Sequence, residues 1–210
     1  MALKDLMSGY GGFAFPLPSI AGKYQGKNLI VCGDAQCVWN DLEAFGARDD
    51  THPGKVRKEG WDVMVVNKLG ETFPGWIHHW YSNIARVIHV AVAARRDEYA
   101  REFSKTWITH SCGTGTDYRW PWGGHGTSGL GAVLVGVGLG YDPIVLCGLP
   151  LDDGPHNGEP HWRKTKFASS EAAGSAADDR DAHWKRAIEL AFEKKVKSMS
   201  GRTRQWLGSP

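Results

Sequence analysis

The chain has few cysteines and none of them paired in sequence: Cys32, Cys37, Cys112 and Cys147 form no CxxC. That argues against a disulfide framework and gives no zinc signature. Long apolar runs are missing too. None reaches the ~18 residues of a membrane span, and Met1-Ala2-Leu3-Lys4-Asp5 lacks the apolar core of a secretory leader. Neither sign of charge is in excess, with 25 Lys and Arg against 23 Asp and Glu. Proteins that hold nucleic acid through general electrostatics are usually more basic. No HxxxH or HExxH occurs, and the adjacent His78 and His79 would point apart on a helix or strand. The expectation is a cytoplasmic chain without metal and without a membrane span.

Glycine and tryptophan, by contrast, are abundant. There are 27 Gly in 210 residues, about 13% against a usual ~7%, which calls for many tight turns or close backbone approaches. The 10 Trp and a 41% hydrophobic content exclude disorder. The length favours one domain, large enough to bury roughly 70% of its unfolded surface.

Residues 1–27 are rich in Gly and Pro without periodicity, and read as an irregular arm. Asn28 to Gly33 is a short apolar run ending in glycine, the pattern of a doubly buried parallel strand. Asp34 offers an N-cap to a helix carrying Val38, Trp39, Leu42 and Phe45, with Gly46 as its C′ residue. Residues 49–60 read as a loop. Asp62 to Asn67 repeats the strand pattern, and residues 68–85 have no clear period. Arg86 to Val92 reads as a third strand, followed by a charged helix from Arg95 to Lys105 and a short strand from Thr106 to His110. Residues 111–127 form a long loop. The small apolar stretch from Ser128 to Gly140 reads as a helix that only tertiary burial can hold, given Gly131, Gly136 and Gly138. Ile144 to Leu149 is a further buried strand, 150–178 a polar loop, and Asp179 to Lys197 a closing amphipathic helix. Strands alternating with helices predict an α/β fold: a Rossmann-like, mostly parallel sheet with helices on both faces, spanning residues 28–200 as a single domain.

In such sheets ligands bind beyond the carboxyl ends of the strands. The candidates are therefore Gly33 and Asp34, Asn67, the loop 110–127, and Leu149 to His161. Neither GxGxxG nor GxxxxGK[ST] follows the first strand, which disfavours a conventional dinucleotide or P-loop site there. Gly126-Thr127-Ser128-Gly129 opens a helix, where N–H groups and two hydroxyls can seat a phosphate without metal, although Ser/Thr caps are common for structural reasons alone. His156, His161 and His183 lie in or after polar loops, and histidine is the residue type most used as a general base near neutral pH. Trp120 and Trp122 can stack on a sugar or base, or pack under a loop.

Several pieces taken together resemble the small single-Rossmann bacterial sialyltransferases. They are similar also to the related 6-hydroxymethylpterin pyrophosphokinase-like domains of bacterial and phage proteins. A strand ends in Cys32-Gly33, another in Val66-Asn67, and Thr127-Ser128-Gly129 opens a helix before Leu139-Gly140-Tyr141 and the strand that ends in Gly148. The resemblance covers residues 28–197 and is most specific from Gly126 to Leu149. It implies a metal-independent glycosyltransferase whose nucleotide-activated donor is a substrate, not a cofactor. Donor contacts would fall on Gly33, Asp34, Asn67, Thr127, Ser128 and Gly129; His183 would be the base, with His161 as the alternative. Trp120, Trp122 and His156 would face the acceptor. The family's first loop reads Gly-Asn-Gly-Pro-Ser, whereas this chain has Gly33-Asp34-Ala35-Gln36-Cys37, and a carboxylate there would repel phosphate. The alternatives are a Mg²⁺-dependent pterin pyrophosphokinase-like transferase, with Asp152 and Asp153 as the acidic pair, and a non-catalytic nucleotide- or sugar-binding phage accessory protein. The partner is a nucleotide or nucleotide sugar; a nucleic-acid acceptor has no support from charge. A phage-encoded chain would act in the host cytoplasm.

Overall fold

The computed structural model describes residues 16–48, 56–99, 107–122, 127–152, 180–192 and 194–210. Along the chain these form β1 (Asn28–Cys32), α1 (Val38–Ala44), β2 (Trp61–Val66), α2 (Leu69–Thr72) and β3 (His79–Tyr81). Then come α3 (Ala85–Tyr99), β4 (Ile108–Ser111), β5 (Tyr118–Arg119), α4 (Ser128–Leu139) and β6 (Ile144–Cys147). Residues 180–192 make α5, which is α-helical to 187 and closes in a π-helical turn, Ile188–Phe192. β7 (Val196–Ser198) and α6 (Gly201–Leu207) follow. The seven strands form one sheet in the order β5-β4-β3-β2-β1-β6-β7, and every neighbouring pair is parallel. This is a Rossmann-like α/β arrangement. The strand order reverses between β1 and β6, the position where such folds open a crevice.

Strand alternation divides the interior in two. Leu29, Val31, Met64, Val66, Tyr81, Ile144 and Leu146 face α4 and α5, while Ile30, Cys32, Val63, Val65, Trp80, Val145 and Cys147 face α1, α2 and α3. The helix α4 is buried on nearly all sides, between the sheet and a layer holding Trp120, Trp122, Trp184 and Phe192. Its glycines serve that sandwich: a Cβ on Gly138 would stand 2.5 Å from the Trp122 ring. Gly140 ends the helix in the left-handed region at φ 98°. Residues 16–27 hold no helix or strand and are pinned to this end of α4. Gly22 N–H donates to Gly138 O and Tyr24 N–H to Leu139 O.

Three expectations need correction. Arg86 to Val92 is not a strand but the start of α3; the third strand is the short His79–Tyr81. The run is rich in β-branched residues, yet Ile88 and Ala91 are buried and Val90 is 59% exposed. Burial at i and i+3, continued by the buried Arg95, is helical spacing. Second, the closing helix does not continue to Lys197. It stops at Phe192, and Val196–Ser198 pairs instead with the open edge of β6, where a strand satisfies a row of backbone groups that a helix would leave unpaired. Third, Asp34 does not cap α1. The N-cap is Cys37, with no side-chain capping bond. Gly46, by contrast, takes the left-handed conformation after this helix, as expected, at φ 67°.

Candidate functional site

Polar side chains from three strand ends and the start of α4 meet at the carboxyl edge of the sheet. Asn67, directly after β2, sits in the left-handed region at φ 53°, a conformation that Asn tolerates better than most residues. Three bonds hold it. Its N–H donates to Tyr81 O (2.9 Å), its carbonyl accepts from Trp80 Nε1 (2.7 Å), and its Oδ1 accepts from Ser82 Oγ (2.8 Å). Asn83 N–H donates to Ser128 Oγ (3.4 Å), which joins the end of β3 to the first turn of α4. Cys112 Sγ and Ser111 Oγ, at the end of β4, both donate to Asn83 O. Burial pushes the Tyr81 phenol up and keeps it protonated as a donor.

Where the strand order reverses, the crevice is closed at its base. Gly33 N–H donates to Cys147 O and Ala35 N–H to Gly148 O, so the turns after β1 and β6 are zipped together. A Cβ on Gly33 would stand 2.3 Å from both Gly148 O and Leu149 Cδ2. The same Leu149 methyl is 2.6 Å from where a Cβ on Gly129 would be, so one leucine side chain fills the gap between the first turn and α4. Asp41 of α1 is buried beside this junction and accepts from Gly148 N–H and Ser200 Oγ. The loop carrying Leu149 is gripped by α6: Thr203 Oγ1 donates to Leu149 O and Arg202 N–H to Pro150 O. Above it lies a cavity of about 510 Å³ lined by Ala35, Gln36, Cys37, Trp39, Asn40, Pro150 and Asp152. Burial pushes the Cys37 thiol up to about 11, so it is not a thiolate nucleophile at neutral pH.

The residues expected from sequence are distributed as follows. Asn67 and Ser128 are bridged by Ser82 and Asn83. Thr127 caps α4 by accepting from Leu130 N–H, and it also accepts from Trp184 Nε1. Gly129 adjoins it, and Gly33 is reached through Leu149; Gly33 and Gly129 are both buried and serve close packing. The half-buried Asp34 follows Gly33. His183 lies within α5, half-buried, one residue before the Trp184 that bonds Thr127. His156, His161 and Asp153 lie outside the described residues. Trp120 and Trp122 are core residues, 1% and 4% exposed and stacked on each other with centroids 5.0 Å apart. They are not available to a sugar or base, because the glycine-lined side of α4 takes them in.

A second polar assembly crosses the sheet from its amino edge. Trp120 Nε1–H donates to His110 Nδ1 (3.0 Å), which leaves the His110 proton on Nε2, facing His79 Nδ1 at 2.9 Å. The His79 proton is therefore on Nε2, 2.8 Å from Tyr141 Oη, and Tyr141 donates to Asp62 Oδ2 at 2.6 Å. Every donor in the chain points towards Asp62. Burial holds His110 down at about 3 and His79 well below the usual imidazole range, so both rings are neutral. Asp62 also faces His78 at 3.3 Å and lines an amino-edge cavity of about 650 Å³ with Lys27, Trp61, Trp76 and His78.

Among the described residues no group of three or more His, Cys, Asp or Glu is arranged to hold a metal ion, and no helix is long and apolar enough to cross a membrane. Ser82 and Asn83 are hidden in the sequence, because the strand that ends before them has only three residues, whereas Cys112 falls in the candidate loop 110–127 after β4. With the two residues before it, Gly126-Thr127-Ser128-Gly129 completes Gly124-His125-Gly126-Thr127-Ser128-Gly129, a GxGxxG that stands after the edge strand β5 and not after β1. No family model matches the chain, and no curated protein or solved structure is significantly similar to it.

Proposed function

We propose that the carboxyl edge binds a nucleotide-activated donor and that the chain is a glycosyltransferase using His183 as general base. One observation carries this reading. A non-glycine residue, Asn67, is held in the left-handed region by three bonds at a strand end and linked through Ser82 and Asn83 to the first turn of α4. Non-glycine residues held in the left-handed region by their surroundings cluster at binding sites. The resemblance to small sialyltransferases assigns donor contacts to Asn67, Thr127 and Ser128, and these residues lie on one connected polar shelf. In this reading α4 and its hydroxyls stabilise the departing phosphate, and His183 takes the proton of the acceptor hydroxyl.

Melting the protein against a panel of nucleotides and nucleotide sugars tests the donor. A ligand present at 100 times its dissociation constant adds about 2.7 kcal/mol, and the shift should survive EDTA. Loss of the shift on chelation would favour the Mg²⁺-dependent pterin pyrophosphokinase-like alternative. With a donor in hand, His183→Ala should lower turnover by ~10²–10⁴-fold with donor affinity nearly unchanged. Turnover within a few-fold of the parent would remove His183 from the mechanism.

A further inference from the structure

Asn83 lies between β3 and α3 and is fixed from three elements. Its N–H is on Ser128 Oγ of α4, its carbonyl receives Cys112 Sγ (3.1 Å) and Ser111 Oγ (3.4 Å), and its Oδ1 accepts from Tyr81 Oη at 2.7 Å. That phenol can reach Asn83 only because residue 131 is glycine, since a Cβ there would stand 2.1 Å from Tyr81 Oη. With Oδ1 already accepting from the phenol, the uncommitted donors of the side chain are the two N–H bonds of its NH₂ group. Asn67 has the same construction, its Oδ1 held by Ser82 Oγ–H. Ser82 Oγ is itself positioned by accepting from Ile84 N–H. Two carboxamides on adjacent strands are thus anchored through oxygen and present nitrogen. Among the described residues no protein acceptor is recorded for either NH₂ group, and Asn83 is half-buried.

Two amides anchored through oxygen turn their N–H donors outward, so the complement of this surface is a group rich in acceptors. Phosphate oxygens are such a group. Asn83 is the amide bonded to the first turn of α4, and α3 begins two residues after it, so both helix dipoles favour negative charge there. The first loop carries the carboxylate of Asp34 instead, which would repel a phosphate. We infer that Asn83 is the phosphate-reading residue of the donor site, with Tyr81 as the residue that positions it. This rests on the nucleotide-donor reading above.

The test compares the four ribonucleoside 5′-monophosphates with the matching nucleosides by calorimetry, on the parent and on Asn83→Asp. The substitution keeps the side-chain shape and the oxygen that Tyr81 holds, and it replaces the NH₂ group with a carboxylate oxygen. The nucleotide should bind about tenfold or more weaker, as expected for loss of a hydrogen bond to a charged group, while the nucleoside stays within about twofold. Tyr81→Phe should give a smaller loss in the same direction. Should Asn83→Asp not fold, Asn83→Ala carries the same comparison. If the parent binds nucleotides and Asn83→Asp leaves the nucleotide-to-nucleoside ratio unchanged, the role of Asn83 is overturned while the donor reading stands. If the parent binds neither nucleotides nor nucleosides, the donor reading falls and this assignment falls with it.

Discussion

At the scale of single residues, Leu149 and the glycines around it decide what can enter the crevice. Gly129 is limited only by the tip of Leu149, the next atoms being 3.5 Å away or more, whereas Gly33 is limited by the Gly148 carbonyl as well. The two glycines should therefore respond differently to a second change. Gly129→Ala and Gly33→Ala should each destabilise the fold by about 1–3 kcal/mol through overpacking. Adding Leu149→Ala should recover most of the loss in Gly129→Ala and little of it in Gly33→Ala, because a backbone carbonyl cannot be trimmed. Urea unfolding of the parent, the three single variants (Leu149→Ala included) and the two double variants, read as two double-mutant cycles, checks this. Equal recovery in both would mean that Leu149 alone fills the gap.

At the scale of elements, Arg95 holds the turn of the chain that leads from α2 to β3. From the far part of α3 it donates to Gly70 O, Phe73 O and Gly75 O, and it is 1% exposed. These carbonyls end α2 and lead into β3. Arg95→Met should cost about 3 kcal/mol or more, since buried acceptors are left behind, and Arg95→Lys should recover less than half, because an ammonium lacks the planar fork. Thermal and urea unfolding measure both; full rescue by Lys would show that charge alone matters. The same region explains what the sequence concealed. β1, β2, α4 and β6 were legible because each is a continuous apolar run ended by glycine or asparagine. β3 was not, since it has three residues and two of them, His79 and Tyr81, carry polar groups whose role depends on partners elsewhere. Val87, Ile88, Val90 and Val92 imitate a strand, and only the burial of Ile88 and Ala91, three residues apart, against the α2 side of the sheet shows the helix. Asn67, Thr127 and Ser128 could be read as candidates because they follow a visible strand or open a visible helix. Asn83 follows a strand that was not visible.

At the scale of the whole molecule, the neutral His79 and His110 set the acid limit of the fold. Both are fully buried, and their folded-state pKa values lie below the unfolded value near 6.5. The unfolded chain takes up protons that the folded chain refuses. The sign follows directly: this stability is fully present above about pH 6.5 and is lost as pH falls towards the folded values. With two groups the slope should approach about 2.7 kcal/mol per pH unit below about pH 5.5. Urea midpoints measured from pH 8 to pH 4 test this. His110→Gln, which keeps a donor and an acceptor, should remove about one proton's worth of slope. A stability that is flat down to pH 4.5 would show that the rings can be protonated in place.

The strand order has a consequence for how the protein is made. β1 emerges early, yet one of its two neighbours is β6, which lies on the far side of β2, β3, β4 and β5 in the chain. During synthesis one edge of β1, an interior strand of the sheet, stays open until residues 144–147 leave the ribosome. In that interval β1 presents Leu29, Ile30, Val31 and Cys32 along an unpaired edge, a template for association with other chains. The interval ends only when β6 docks and the turns after β1 and β6 zip together. Closing the base of the crevice and ending the exposed stage of folding are therefore one event.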